Sequence, residues 1–300
     1  MTDRRATLGV LSAAGAFFVW GMVPLYFRTL RSVSPFEIIA HRVLWSVLFL
    51  VLLVRLTRGF GQVRATFAQP RLVARLALTA ALVTSNWLTF VWAVNAGRIL
   101  DTSLGYFLTP QVNVLLGFLF LHERLRRAQW LAVLLALAGV LNQIWLLGQL
   151  PWISLVLALT FGSYGLFRKQ IPVDAVTGLL VETAVAAPFA LGFLLYLQRT
   201  GGLGFAHRGR PTDALLAALG VVTAVPLLLF GAGARRLRLA TIGFLQYLAP
   251  TMTFLIAVLV YREPLGVARV LTFAFIWAGI AVYAADSVRA VSDRSTPPPA

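Results

Sequence analysis

Ionisable side chains lie within several long apolar segments of this sequence, and they are the residues best placed to do chemistry there. Glu37, His41 and Arg42 fall in one segment, Glu182 falls in another, and Asp101 lies at the end of a third. Glu37 and His41 are four residues apart, so a helix places them on one face, where they could handle a proton together. Two structural alternatives stay open: Glu37 could cap the positive end of its helix, and His41 could be a packing residue.

Amide and aromatic side chains form a second set within the apolar segments. Aromatic walls with a few amides suit a cavity that binds planar or amphipathic small molecules. Trp and Tyr also gather where a membrane meets water, which is the structural alternative. The candidates for substrate contact are Trp20, Asn86, Trp87, Tyr106, Asn113, Tyr164, Gln246 and Tyr247.

Motifs for enzymatic chemistry are missing from the sequence. There is no cysteine, so there can be no disulfide or thiolate metal site. Lys169 is the one lysine, which excludes a phosphate-binding P-loop. The carboxylates are scattered rather than paired as metal ligands. The sequence therefore predicts no catalytic residues, no metal site, no cofactor and no enzymatic activity.

The composition predicts a membrane protein built from helices. Of the 300 residues 59% are hydrophobic and only 12% are charged, and the mean hydropathy is +0.84, whereas soluble chains are about 45–50% apolar and about 25% charged. A net charge of +16 then belongs to loops that face anionic lipid rather than to a nucleic-acid site. The partners expected are the lipid bilayer and a small-molecule substrate, with no nucleic acid; a homodimer stays open.

Ten segments are long and apolar enough to span a bilayer, which requires roughly 20 residues per helix. We call them spans 1 to 10, and the sixth is the shortest. The spans are predicted at 8–26, 36–56, 72–95, 102–121, 128–147, 152–167, 175–197, 214–233, 240–261 and 267–285. Residues 1–7 are then an N-terminal segment, and residues 286–300 are expected to be a disordered tail.

The positive charges predict the orientation of these spans. Of the 26 Lys and Arg residues, 17 lie in the loop set that includes both termini, eight lie in the other set, and Arg42 lies inside a span. Cytoplasmic loops carry the excess of Lys and Arg. Both termini are therefore predicted to be cytoplasmic.

An internal repeat is indicated when the sequence is shifted against itself by 140 residues. Each half would contain five spans, at 8–147 and 150–285, and an odd number of spans turns the second copy upside down. Inverted repeats of this kind are typical of transporters. The alternative is that Leu-rich helices match by composition alone. The matches that argue for duplication are segment 104–110 with 244–250, Glu123 with Glu263, and Gly139 with Gly279.

Seven short segments carry a resemblance to a known family. They are FVWGMVPLYF at 18–27, AHRVLWS at 40–46, NW at 86–87, SLGYF at 103–107, RLRL at 236–239, GFLQY at 243–247 and TFAFIW at 272–277. With the repeat and the end-of-span glutamates, they resemble the drug/metabolite transporter superfamily with its paired EamA repeats, and within it the RarD group. The resemblance covers roughly residues 8 to 285.

The resemblance implies a ten-helix permease of the bacterial inner membrane that exports small metabolites or drugs by alternating access. It also implies a central cavity lined by spans 1, 3, 4, 6, 8 and 9, which contain the aromatic and amide candidates named above. It does not imply a particular substrate. An intramembrane enzyme and a membrane-embedded assembly factor remain the alternatives, although the first would need a clustered acid, base or metal site.

Arg42 keeps its charge in any surroundings, so it needs an anionic partner or water. Its counterpart at an offset of 140 is Glu182, but the two enter from opposite membrane faces and differ by roughly 10 Å in depth. Asp101 or Glu37 is therefore the expected partner of Arg42, and Arg238 is the expected partner of Glu182. Such pairs could serve as gates, take part in proton coupling or simply hold helices together.

Pro110 and Pro250 each fall in the middle of a predicted span, at equivalent places in the two halves. A proline inside a helix removes one hydrogen bond and kinks the helix. The two residues could be matched hinges, although proline is also tolerated in membrane helices for structural reasons.

The charge distribution generates a prediction about topology. Reporter fusions at the C-terminus and in the loop at 198–211 should report opposite sides of the membrane, because an odd number of spans separates them. Activity of both reporters on one side would contradict the ten-span arrangement.

Overall fold

The computed structural model describes residues 2–57, 59–122, 124–234, 236–237 and 245–295. All regular secondary structure in these ranges is helical. The helices are α1 (Thr2–Thr29), α2 (Pro35–Thr57), α3 (Gly61–Phe67), α4 (Pro70–Asn95), α5 (Ile99–Leu121), α6 (Arg127–Leu147), α7 (Trp152–Lys169), α8 (Ala175–Thr200), α9 (Arg210–Ala234), α10 (Leu248–Leu255) with a π-helical turn (Ile256–Val260), and α11 (Val267–Ser295).

Eight of these helices are long and apolar enough to cross a membrane, which establishes a multi-pass membrane protein. They correspond to predicted spans 1 to 5, 7, 8 and 10. Two shorter apolar helices, Trp152–Arg168 and Leu248–Val260, coincide with predicted spans 6 and 9. Span 9 was predicted to begin at residue 240, but residues 240–244 lie outside the described part of the chain.

Local sequence explains where several helices begin and end. Pro35 is the first residue of α2, where its missing N–H costs nothing. The Asp174 side chain accepts hydrogen bonds from the backbone N–H groups of Val176 and Thr177 and so caps α8. Gly201 follows α8 with a left-handed φ of 71°, a conformation that costs glycine little.

Two features differ from the sequence-based prediction. The short helix α3 lies in the connection between spans 2 and 3, where none was predicted; its Val63 and Thr66 are buried, and Val63 belongs to an apolar cluster with residues of α8. The tail expected to be disordered from residue 286 instead continues α11 to Ser295, and residues 296–300 lie outside the described part. The length of an apolar segment indicates where the membrane ends. It does not determine where a helix ends, because a helix can continue into water.

Large apolar side chains from most of the helices form one central cluster. Phe27, Ile38, Val91, Leu100 and Ile276 are all nearly or fully inaccessible to solvent within it. Around this core α1 packs on α9, α4 on α7, α2 on α8, and α6 on α11. The ionisable residues inside the spans are therefore held between helices rather than on the bundle's outside.

The pair α6 and α11 packs through two glycines. A Cβ atom at Gly139 would lie 3.1 Å from the carbonyl oxygen of Thr272, and one at Gly279 would lie 2.9 Å from that of Ala132. Ascending positions on α6 meet descending positions on α11, so the two helices run antiparallel. Asn142 strengthens the contact by donating to the Ala268 carbonyl oxygen at 3.0 Å and to the Thr272 hydroxyl at 3.1 Å.

Because of this packing, substitution of alanine for glycine should affect stability differently at two helical glycines. Gly279→Ala should lower the midpoint of thermal unfolding in detergent, because overpacking typically costs about 1–3 kcal/mol. Gly192→Ala in α8 is the matched control, since no atom lies within 4 Å of its added Cβ. The control should be neutral or stabilising by about 0.5–1 kcal/mol; equal loss in both variants would contradict the close approach of α6 and α11.

Candidate functional site

Glu37 connects α2 to the loop between α8 and α9, at what we call the α8–α9 end of the bundle. The side chain is 1% exposed. Its Oε1 accepts hydrogen bonds from the backbone N–H groups of Gly204 at 2.8 Å and Phe205 at 2.9 Å. Glu37 lies in the first turn of α2, as the capping alternative expects, but the hydrogen bonds that it accepts come from another segment.

His41 lies one helical turn further into the bundle, on the same face as Glu37. Its Nε2 is 3.8 Å from Glu37 Oε1, and its ring lies 4.8 Å from that of Phe205. The His41 Nε2 is buried and has no hydrogen-bond partner. Glu37 and His41 are therefore neighbours, as their spacing on one helix predicted. Their role in proton transfer stays a prediction.

Arg42 lies over the indole ring of Trp87, with its guanidinium carbon 4.2 Å from the ring centroid. The residue is 7% exposed, and its Nε is buried without a hydrogen-bond partner. An aromatic face attracts a cation by about 0.5–2 kcal/mol, which offsets only part of the cost of burying it.

The predicted ion pair between Arg42 and Asp101 is absent from the structure. Asp101 instead accepts a hydrogen bond from Arg98 Nε at 2.6 Å, three residues earlier in the chain. Its backbone oxygen also accepts from the Ser154 hydroxyl at 2.7 Å, which attaches α5 to α7. The prediction was wrong because a local partner at the start of α5 costs less ordering than a distant one on α2. The other candidate, Glu37, bonds the α8–α9 loop as described above.

Asn86 and Tyr106 form a buried polar contact next to Trp87. The Tyr106 hydroxyl donates to Asn86 Oδ1 at 3.0 Å. The Asn86 amide nitrogen donates to the Leu157 carbonyl oxygen and to the Thr160 hydroxyl, both at 3.0 Å. Asn86 is fully buried, so it positions Tyr106 and connects α4 to α7.

Glu182 forms a separate polar cluster towards the opposite end of the bundle. It is 1% exposed and accepts a hydrogen bond from the Thr79 hydroxyl at 2.7 Å. Arg168 Nε lies 3.4 Å from its Oε1, and the Tyr164 hydroxyl lies 3.4 Å from its Oε2. The partner predicted from sequence, Arg238, lies outside the described residues, and among those described the partner is Arg168.

The other substrate-cavity candidates are more dispersed. Trp20 packs against Phe17 and Phe230, with centroid distances of 5.5 and 5.9 Å. Asn113 is exposed on α5. Gln246 lies in the turn before α10, and Tyr247 in the same turn stacks on Phe107 at 6.4 Å with its hydroxyl buried and unpartnered.

The two prolines differ in their surroundings. Helix α5 continues through Pro110, whereas Pro250 lies in the first turn of α10, directly after the turn at 246–247. The Pro250 carbonyl oxygen accepts a hydrogen bond from the Ser103 hydroxyl at 2.8 Å. A break in the backbone therefore accompanies the second proline but not the first, and a role for both as hinges stays a prediction.

An apolar groove of about 390 Å³ lies on the side of the bundle between α2, α4 and α8. Its described lining contains none of the predicted substrate-cavity residues. Three of the aromatic candidates, Trp87, Tyr106 and Tyr164, belong instead to a chain of contacting aromatic rings beside Arg42. The chain comprises Phe27, Trp87, Phe90, Tyr106, Phe161 and Tyr164.

Two further polar residues close the α8–α9 end and were not singled out as functional from the sequence. Arg28 Nη1 donates to the carbonyl oxygens of Val94 at 2.9 Å and Asn95 at 2.8 Å, at the end of α4. Glu263 accepts from the N–H groups of Ile99 at 2.7 Å and Leu100 at 2.9 Å, at the start of α5. Burial raises the pKa of the Glu263 carboxyl, although these two hydrogen bonds oppose the shift.

Comparison with known proteins places this bundle in a family. The model of the EamA-like transporter family matches residues 7–142 and again residues 150–285. The chain belongs to the EamA-like transporter family. It is a RarD-type member and a membrane transporter, because its relatives over the full length are named RarD or transporter.

Three such EamA-family relatives indicate the extent of the similarity. Protein RarD of Salmonella typhi is 46% identical over 96% of this chain and 98% of its own length. Protein RarD of Escherichia coli is 45% identical over 96% and 97%. An uncharacterized transporter of Pseudomonas aeruginosa is 47% identical over all of both chains.

A solved crystal structure shares the fold of this EamA-family chain. It superposes with a TM-score of 0.59 and covers 94% of this chain and 98% of its own, at 18% sequence identity. The likeness shows a common fold only.

The Glu37 contact generates a prediction about stability. Glu37→Ala removes the acceptor of two buried N–H groups, and an unsatisfied buried donor costs about 1–3 kcal/mol. The midpoint of thermal unfolding in detergent should therefore fall clearly. Glu37→Gln keeps one acceptor oxygen and should lose less, and Thr200→Ala at an exposed neighbouring site is the control. Equal stability of Glu37→Ala and the control would show that the loop does not depend on Glu37.

Proposed function

We propose that this chain is a secondary transporter that exports small organic molecules by alternating access. In this proposal ten spans form two inverted repeats, at 8–147 and 150–285, in the bacterial inner membrane with both termini in the cytoplasm. The energy comes from an ion or substrate gradient, since the sequence contains no phosphate-binding P-loop. Glu37, His41, Arg42 and Glu182 are the candidates for gating or proton coupling.

The observation that carries the proposal is the antiparallel packing of α6 and α11 at the repeat offset. Gly139 and Gly279 are 140 residues apart, and so are the residues that they approach, Ala132 and Thr272. Equivalent helices of an inverted repeat, related by a two-fold axis in the membrane plane, would contact each other in this way, so this packing supports the proposed duplication. An inverted repeat can exchange the conformations of its halves, which supports alternating access.

Other features of the backbone support the same duplication. His122 and Arg262, also 140 residues apart, both adopt left-handed conformations, with φ of 54° and 51°. The pairing of α1 with α9 is equivalent to that of α4 with α7, and the family model matches once in each half. Composition alone does not place rare backbone conformations at equivalent positions, so these matches favour duplication over the compositional alternative.

The contacts at the α8–α9 end support a gate there. Glu37 bonds the loop at 204–205, Arg28 bonds the end of α4, and Glu263 bonds the start of α5. A substrate that leaves through this end must break some of these contacts. Because each joins a side chain to backbone groups of another segment, the helices can separate by exchanging a few hydrogen bonds rather than by unfolding.

Flux measurements in proteoliposomes test the proposal. The purified chain should move members of a panel of labelled metabolites and drug-like molecules faster than empty liposomes do, with and without a pH gradient. Trp87→Ala should lower this flux roughly tenfold, corresponding to about 1.4 kcal/mol of lost interaction. Trp145→Ala is the matched control, because that side chain is 87% exposed.

Two outcomes would contradict transport by this route. Flux no greater than that of empty liposomes for the whole panel would favour the alternatives of an intramembrane enzyme or an assembly factor. Equal losses in Trp87→Ala and Trp145→Ala would show that the aromatic residues beside Arg42 are not on the substrate path.

A further inference from the structure

Arg42 is a buried cation for which the described residues provide no anion. Its guanidinium lies over Trp87, and its Nε lacks a hydrogen-bond partner. The residue is seven positions into α2, roughly 10 Å along the helix from its start. Lipid headgroups lie near helix ends, so the charge is too deep for routine contact with them.

Each carboxylate whose side chain is described is already engaged with another group. Four of them accept hydrogen bonds from backbone N–H groups of loops or helix starts, and the other three are held by arginines or hydroxyls. The contacts are Glu37 with Gly204 and Phe205, Asp101 with Arg98, Asp174 with Val176 and Thr177, Glu182 with Thr79 and Arg168, Asp213 with Ala206, Glu263 with Ile99 and Leu100, and Asp286 with Arg126. None of these carboxylates is therefore paired with Arg42.

An unpaired charge within a membrane protein is costly and marks a functional site. Arginine cannot lose its proton to avoid that cost, and the face of a single indole ring compensates it only in part. A permanent counter-ion within the chain would close the site to ligands. A counter-ion that arrives with the substrate would satisfy the charge only when the substrate is bound.

We propose that Arg42 binds the carboxylate of an organic anion, whose apolar part packs against the aromatic chain that begins at Trp87. This assignment rests on the proposed transport function and names its substrate class. One guanidinium matches the single charge and the two oxygens of a carboxylate.

The charge favours a carboxylate over a phosphate. A phosphate monoester carries nearly two negative charges at neutral pH, which would require a second cation. The two arginines that the structure places on buried carboxylates, Arg98 and Arg168, are already paired with Asp101 and Glu182. The rings of Phe27 and Phe90 beside Trp87 favour an aromatic or aliphatic body on the anion.

Binding of matched probe pairs to the purified full chain tests the assignment. Benzoate, phenylacetate and indole-3-acetate each have an uncharged amide of nearly the same shape. In detergent, at least one carboxylate should bind in calorimetry and raise the midpoint of thermal unfolding, while its amide does neither. Arg42→Gln should weaken this binding roughly tenfold or more, and Arg42→Lys should weaken it less. Arg31→Gln, at an exposed position, should bind as the unmodified chain does.

The stability of the ligand-free variants separates this role from a structural one. If Arg42 has no partner in the chain, Arg42→Gln should unfold at the same temperature as the unmodified chain or at a higher one. A fall in the unfolding temperature of both Arg42→Gln and Arg42→Lys would overturn the proposal, because it would reveal a structural partner. So would the absence of any Arg42-dependent response across the carboxylate panel.

Binding of a lipid headgroup at Arg42 and a failure of the transport proposal would each give a distinct experimental result. If phosphatidylglycerol in mixed micelles stabilises the chain through Arg42 while no carboxylate does, the site binds a lipid headgroup and the proposal is overturned. If neutral molecules are transported and Arg42→Gln leaves their flux unchanged, transport stands and the anion assignment fails. If carboxylates bind at Arg42 but nothing crosses proteoliposomes, the anion site stands and the transport proposal fails.

Discussion

The satisfaction of polar groups without water is the constraint on which this bundle depends. Inside a bilayer a backbone N–H or a carboxylate must find its partner within the protein, since unpaired groups cost several kcal/mol each. Glu37, Glu263 and Arg28 meet this demand where helices begin, end or turn, because backbone groups there have no partner within a helix. These three charged side chains therefore act as connections between segments.

The helices were largely predictable from sequence because the same constraint gives each span a minimum apolar length. Predicted ends such as Asn95 and Leu121 agree with α4 and α5. The short helix α3 and the extension of α11 to Ser295 were not predicted, because both involve segments whose composition is polar enough to leave the membrane. Hydropathy measures transfer into lipid, and it carries no information on where a helix in water stops.

Polar partners were less predictable than helices. Depth along a span can be counted from sequence, but rotation about the helix axis and the identity of the neighbouring helix cannot. Asp101 pairs with Arg98, which lies one turn away. Glu182 pairs with Arg168, which was predicted from the sequence to lie in a loop. By contrast, the pair Glu37 and His41 was predicted correctly as neighbours because both lie on one helix, where spacing fixes direction.

The repeat offset relates backbone positions more closely than it relates chemistry. At this offset His122 and Arg262 share a rare backbone conformation, and Gly139 and Gly279 share a packing role. The side chains at other equivalent positions differ: Arg42 corresponds to Glu182, and Asn86 corresponds to Pro226. A scaffold with equivalent halves would make two inverted conformations equal in energy, and unequal side chains remove that equality. A ligand can shift such an equilibrium only by binding the two conformations differently. Under the proposed assignment, an anionic substrate at Arg42 would act on one half alone, because the equivalent position of the other half, Glu182, is a carboxylate already held by Arg168. That asymmetry is the condition for its binding to bias the exchange.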